Sequence, residues 1–216
     1  MTLDELRLVC LNCRECALAE RRTTVVFGEG DPTSPLMLIG EGPGDTEDKT
    51  GRPFVGRAGQ LLDKALIDAG IGRDRVYIAN TVKCRAADWS TGRPMNRPPT
   101  EDEANACRHW LLSQIGFIKP KVILCVGAPS ARNLIKKNFK ITQERGLYFR
   151  SDYAKTILAT LHPSYVLRNM SASGDDGGYS LMVQDIQKAW IAAQKLVEKE
   201  TLRSIPEPEP RQEVLF

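Results

Sequence analysis

The chain is poor in histidine, with 2 among 216 residues, and poor in aromatics, which make up 6%. It has no apolar run near the roughly 18 residues that a membrane-crossing helix needs, so a spanning helix is excluded. Its first residues mix acids and bases with apolar side chains, unlike a secretory leader, so a reducing, cytoplasmic setting is expected. No internal repeat, collagen-like period or sustained heptad is present. Hydrophobic residues at 42% and charged residues at 26% are instead the balance of an ordinary globular protein. A chain of this length buries a core without staples. The net charge of +3 says little, but its distribution is uneven. Residues 83–150 hold 13 bases against 5 acids, whereas residues 1–82 hold 10 and 13, and residues 151–216 hold 7 and 9. A basic middle between acidic ends suggests a polyanion-facing surface, its rival being a solvated face of no special function.

The 6 cysteines are Cys10, Cys13, Cys16, Cys84, Cys107 and Cys125. The first three form a C-x-x-C-x-x-C run that brings several thiols within reach of one metal centre. Cys84 and Cys107 complete the set, flanking a Pro- and Arg-rich loop at residues 85–99. Four thiolates suit tetrahedral zinc and an iron–sulfur cluster equally, so spacing leaves the metal open. Cys125 falls inside the apolar run Val122-Ile123-Leu124-Cys125-Val126, where a free cysteine behaves as a small hydrophobe; Cys10 is ambiguous.

Apolar runs and punctuation define the elements. Leu36-Met37-Leu38-Ile39 reads as a buried strand between Pro35 and Gly40, and Val76-Tyr77-Ile78-Ala79 as a second, ending at Asn80. Residues 121–126 and 156–160 read as the third and fourth core strands, and Leu147-Tyr148-Phe149 as an extra edge strand. Residues 60–69 are helical in period with Gly70 as the stop, and residues 45–54 read as an acidic loop. Thr100 with Glu103 forms a capping box that opens a helix through Gln114. Further helices are expected over residues 130–137 and from Met182 to Val197. Strands alternating with helices imply an α/β fold with a mainly parallel sheet covered on both faces. Residues 1–203 read as a single domain. Residues 204–216, rich in Pro and Glu, read as a disordered tail whose last residues resemble part of a protease-cleavage tag.

In an open parallel sheet, ligands bind beyond the carboxyl ends of the strands. The Gly40-Glu41-Gly42-Pro43-Gly44 turn, Asn80 and His162 all fall there. The glycine spacing departs from a dinucleotide fingerprint, since Pro43 interrupts the turn and acids follow where a pyrophosphate would lie. Asn80 presents an amide complementary to an imide edge. Phe54, in a loop after Pro53, is placed to stack on a planar ring or to plug the core. His162 is a satisfied polar residue or a functional one; its position at a strand end favours function.

These residues carry a resemblance. Gly40-Glu41-Gly42-Pro43-Gly44 with Glu47 and Asp48, Thr50-Gly51-Arg52-Pro53-Phe54-Val55-Gly56, Val76-Tyr77-Ile78-Ala79-Asn80 with Val82-Lys83-Cys84-Arg85, and His162-Pro163-Ser164-Tyr165-Val166-Leu167-Arg168-Asn169 together resemble family 4 uracil-DNA glycosylases, the iron–sulfur type, over residues 6–196. The resemblance implies a three-layer αβα sandwich around a central four-stranded, mainly parallel sheet. It also implies a [4Fe–4S] cluster on Cys13, Cys16, Cys84 and Cys107, with Cys10 and Cys125 unligated. Uracil would lie against Glu41, Gly42, Glu47, Phe54, Asn80 and His162. Glu41 and His162 would be catalytic, and Ser164, Leu167 and Arg168 would contact DNA. The implied activity is monofunctional hydrolysis of the N-glycosidic bond of deoxyuridine, which initiates base excision repair. The partner is uracil-containing DNA; a monomer without membrane association is expected. Two departures stand out: Asp45 replaces the family's common Glu, and the loop between Cys84 and Cys107 is long. Lacking the attacking His of a related group that traps DNA covalently, it implies ordinary turnover. The basic segment would form a cluster-braced, DNA-facing surface. Other readings on the same residues are a non-catalytic iron–sulfur DNA-binding module and a nucleotide- or redox-cofactor enzyme.

Overall fold

The computed structural model describes residues 1–90, 92–171 and 174–203. The tail expected at residues 204–216 lies outside the described residues. The elements run α1 (Leu3–Leu11), β1 (Glu29–Gly30), β2 (Leu36–Gly40), α2 (Asp45–Thr50), α3 (Arg57–Asp68), β3 (Tyr77–Asn80), β4 (Ala87–Asp88), β5 (Met95–Asn96), α4 (Glu101–Ile118), β6 (Val122–Val126), α5 (Ala128–Leu134), α6 (Ile141–Glu144), β7 (Thr156–Thr160), α7 (Pro163–Asn169) and α8 (Tyr179–Arg203).

The main sheet has the order β1-β3-β2-β6-β7. The four apolar strands are mutually parallel, in register from Met37↔Tyr77 through Leu38↔Leu124 to Leu124↔Leu158. The sheet has five strands rather than four, because Glu29–Gly30 adds antiparallel to β3. Two residues with no apolar alternation leave no strand signal in a sequence. Leu147-Tyr148-Phe149 is not a strand; Phe149 makes only an isolated antiparallel bridge to Ile157.

Strand side chains alternate between the two faces, as the pleat requires. Leu36, Leu38, Ile78, Leu124 and Leu158 pack with Leu62 and Leu66 of α3, Val166 of α7 and Met182 and Ile186 of α8. Met37, Ile39, Tyr77, Ile123 and Cys125 pack on the other side with Leu111 and Ile115 of α4 and Ala131 and Leu134 of α5. This is the three-layer sandwich, and Cys125 is buried in it as a small apolar residue. A third, smaller core gathers Leu6, Cys10, Leu18, Phe27, Cys84, Cys107 and Trp110 beside the sheet.

Capping chemistry sets several boundaries. The Thr100–Glu103 capping box opens α4, which runs past Gln114 to Ile118, and Thr2 with Glu5 does the same for α1. The acidic stretch expected as a loop forms α2, with three acids in its first turn where the helix dipole favours them. His162 caps α7, with Pro163 at the first helical position.

Candidate active site

The carboxyl ends of β2 and β3 and the start of α7 converge on a cleft of about 460 Å³. Glu41, Gly42, Glu47, Phe54, Asn80, His162, Ser164 and Arg168 all line it. Leu167 does not; it is half-buried elsewhere on α7.

Asn80 ends β3 and is 1% exposed. Its Oδ1 is buried without a hydrogen-bond partner, an expensive state unless a ligand supplies the donor. Lys83, fully buried, fixes its backbone: Nζ donates to the Asn80 carbonyl at 2.8 Å and to Gln114 Oε1 at 2.5 Å. Burial lowers the Lys83 pKa to about 8. Gln114 in turn donates to the Phe27 carbonyl at 2.8 Å.

Phe54 is held in the left-handed region, at φ +50°, where a residue with a Cβ is strained. Arg73 secures this loop. Its guanidinium donates to the carbonyls of Pro53 and Phe54 and pairs with Glu29 at 2.9 Å and Asp63 at 2.6 Å. Glu47 grips it from the other side, accepting from the amides of Val55 (2.9 Å), Gly56 (2.8 Å) and Gly44 (3.1 Å). The Glu47 carboxylate therefore ties two loops together, which is a positioning role within the expected uracil site. Gly40 is required between these groups, since a Cβ there would stand 2.4 Å from Asn80 Oδ1 and 2.5 Å from Phe54 Cζ.

His162 lies with its ring centroid 6.0 Å from that of Phe54. Nδ1 accepts from the Ser164 backbone amide at 3.1 Å and contacts the Ser164 hydroxyl at 2.7 Å. An amide only donates, so Nδ1 is the unprotonated nitrogen and Nε2 carries the hydrogen. Burial, reinforced by the nearby Arg168 charge, pushes the His162 pKa down to about 4, so the ring is neutral at physiological pH. Gly127 makes room for it: a Cβ there would come within 2.9 Å of the His162 Cβ. Glu41 sits at the end of β2, its backbone carbonyl held by the Thr81 hydroxyl (2.6 Å) and the Val82 amide (3.1 Å). Burial raises the Glu41 pKa above the ordinary carboxylate range.

The residues beside the cleft organise the rest. Arg85 donates to Asp45 at 2.6 Å and Asn96 at 2.8 Å, tying α2 to the β4–β5 ribbon inside the long loop. Asp45 thus supports the loop, as its position suggests. His109 pairs with Glu15 at 2.8 Å, away from the cleft lining.

Cys10, Cys13, Cys16, Cys84 and Cys107 line one small space with Lys83, Arg22 and Trp110. Arg22 Nη1 lies 3.4 Å from Cys84 Sγ, and the Lys83 amide donates to Cys107 Sγ at 3.2 Å. Burial raises the thiol pKa of Cys84 to about 12, so a thiolate there needs a cationic partner. The buried Trp110 Nε1–H has no partner, and an acceptor such as thiolate or sulfide in that space would satisfy it. Among the described residues no three His, Cys, Asp or Glu side chains form a site for a single metal ion. The thiols surround a space instead of converging on a point.

The basic segment does not assemble on this cleft. Of its bases only Arg97 belongs to the lining. Lys83 is buried, and Arg132, Lys136, Lys137 and Arg150 line a separate cleft. Sequence reasoning also missed Arg73, whose partners lie 10 to 44 residues away in the chain and leave no local pattern.

The strand ends of this parallel sheet bring together a buried Asn80 and the half-buried Glu41 and His162, and a model described as the Uracil DNA glycosylase superfamily matches residues 27–192. Within that superfamily, the chain is 45% identical over 178 residues to a type-4 uracil-DNA glycosylase of Thermotoga maritima, covering 82% of this chain and 87% of the relative. It is 40% identical over 176 residues to one of Sulfurisphaera tokodaii, covering 78% and 77%. A third, from Pyrobaculum aerophilum, is 38% identical over 182 residues, covering 81% and 89%. The chain belongs to the type-4 uracil-DNA glycosylase family.

Proposed function

We propose that this chain excises uracil from DNA by hydrolysing the N-glycosidic bond, as the names of its relatives indicate for them. The observation that carries the reading is the orphaned Asn80 Oδ1, buried in one cleft with Phe54 and a neutral His162. A base in a duplex is out of reach, so the deoxyuridine is flipped into the cleft. Phe54 stacks on the ring. Asn80 Oδ1 accepts from uracil N3–H while its amide donates to O4. Cytosine offers the reverse pattern and leaves the buried amide unpaired, which rejects it.

Bond cleavage places negative charge on uracil O2 and positive charge on the sugar. His162 Nε2–H donates to O2, and its neutrality matters, since the developing anion is stabilised without proton transfer to it. Glu41, as carboxylate, orients the attacking water or stabilises the sugar cation. Lysine chemistry is not called for: Lys83 is sequestered against Asn80 and Gln114, so water is the nucleophile and the enzyme is monofunctional. Ser164 holds His162, while Arg168 and Leu167 on α7 meet the DNA.

Cys13, Cys16, Cys84 and Cys107 are the residues that would hold a [4Fe–4S] cluster, and the basic donors and orphaned indole around them suit such a group. When bound, its irons would take these four thiolates as ligands and so cross-link the N-terminal segment to the loop that borders the cleft. Residues 1–203 form the working domain in this reading. Incubation with oligonucleotides carrying one deoxyuridine, followed by alkali, is expected to give strand cleavage at that position and none at deoxycytidine. Absence of cleavage overturns the reading, and a stable protein–DNA adduct reassigns the chain to the covalent group.

A further inference from the structure

The five exposed bases around a second cleft lie at the opposite end of the sheet from the uracil site. Arg132, Lys136, Lys137, Arg150 and Lys155 line it together with Asn133, Ser151 and Tyr153, and Asp152 is the single acid. Its position follows from the topology. Lys155 immediately precedes β7, whose far end leads into His162. Helix α5 starts beside His162 at Gly127 and carries Arg132 in its last turn. Both elements thus run between the catalytic edge and the basic side, α5 for about 10 Å.

The lining favours a particular partner. Lys137, Arg150 and Lys155 form no ion pair among the described residues, whereas Lys136 is held by Glu144. The apolar lining residues Leu134 and Ile135 belong to the core beneath α5, so no apolar pocket opens for a peptide anchor. What faces outward is chiefly Lys and Arg, with the Asn133 side chain and the Tyr153 hydroxyl tied to a further base, Arg108, beside them; exposed bases of this kind contact sugar–phosphate backbone without reading sequence. We propose that this cleft is a second, sequence-independent DNA-binding site, which grips the phosphate backbone of a DNA segment other than the one engaged at the catalytic cleft. The choice of DNA among polyanions rests on the proposed function; the existence of a remote anion site does not. It gives four bases of that segment, Arg132, Lys136, Lys137 and Arg150, a role that the catalytic cleft does not provide.

The test uses the full chain and the variant Lys137→Gln, Arg150→Gln, Lys155→Gln, whose exposed side chains leave the fold intact, as matching thermal unfolding verifies. Two probes are used: a labelled uracil-free duplex of about 20 base pairs for affinity across salt concentrations, and an eight-nucleotide single strand with one deoxyuridine for single-turnover excision. The variant is expected to bind the duplex roughly tenfold more weakly at low salt. Its slope of log affinity against log salt should be shallower by roughly 2–3, about 0.9 for each phosphate no longer neutralised. Excision from the short strand should be unchanged. Equal affinity and slope in the two proteins overturn the proposal, as does a parallel loss of short-strand excision, which makes the two clefts one site. Retention of a polyglutamate peptide by wild type alone, with duplex binding unaltered, assigns the cleft to an acidic protein and also overturns it. If wild type releases no uracil while the salt slopes still differ, the cleft proposal is supported and the proposed activity fails.

Discussion

The two ends of one sheet handle charge in opposite ways. At the carboxyl edge the functional groups are few and buried or half-buried: an Asn80 oxygen without a partner, a histidine held neutral, a carboxylate whose pKa burial raises. At the amino edge five exposed bases, of which Lys136 is ion-paired, line a cleft with one acid. Desolvation makes each polar group at the first edge worth more and harder to misplace, which suits chemistry and base selection. Exposure at the second keeps charges cheap to maintain and sensitive to salt, which suits sequence-independent grip. Excision should therefore depend steeply on single atoms at one edge and hardly at all on single charges at the other.

The largest effect is expected from His162→Ala, with single-turnover excision about 10²–10³-fold slower, the usual consequence of removing one oxyanion donor. His162 also contributes a pH signature. Because its folded pKa of about 4 lies below the ordinary value near 6.5, the unfolded chain binds the extra proton first. Stability should fall as pH drops through that window, and chemical denaturation of His162→Ala should show a smaller fall. A wild-type loss of activity with a midpoint near 6.5 would contradict a neutral His162.

Glu41→Gln comes next, with excision reduced about 10²-fold. Burial raises the Glu41 pKa, so the charged form costs stability once pH exceeds the folded value. The variant should accordingly be at least as stable as wild type at neutral pH, measured by urea unfolding. A less stable and fully active variant would show that Glu41 serves the fold. Arg73→Met should act more moderately, by about 1–3 kcal/mol of stability from lost charged hydrogen bonds. Its excision rate should fall with a rise in KM, because the strained Phe54 loop loses its anchor. Unaltered kinetics would separate Arg73 from the site.

Much of the carboxyl edge was legible in the sequence because parallel strands end where apolar runs end. Gly40, Asn80 and His162 each follow such a run, and the sheet brings them together. The glycine-rich turn and the capping box at Thr100 were legible for the same local reason. The missing pieces are those made by distance in the chain. Arg73, Lys83 with Gln114, and the backbone grip of Glu47 join segments that no local pattern relates. The placement of the bases was misread for a related reason. Net charge over a segment ignores where the fold sends each base: of the 13 in residues 83–150, Lys83 is buried, Arg97 lines the catalytic cleft, and Arg132, Lys136, Lys137 and Arg150 line the remote one.

The central claim is that one desolvated amide selects the base. It is tested most directly by identifying the base released from DNA carrying a single deoxyuridine, with wild type and Asn80→Ala compared for release rate and for affinity to uracil-free duplex. The account predicts free uracil from wild type, release slowed by about a hundredfold or more in the variant, and the same uracil-free affinity in both. Undiminished uracil release by Asn80→Ala would contradict it.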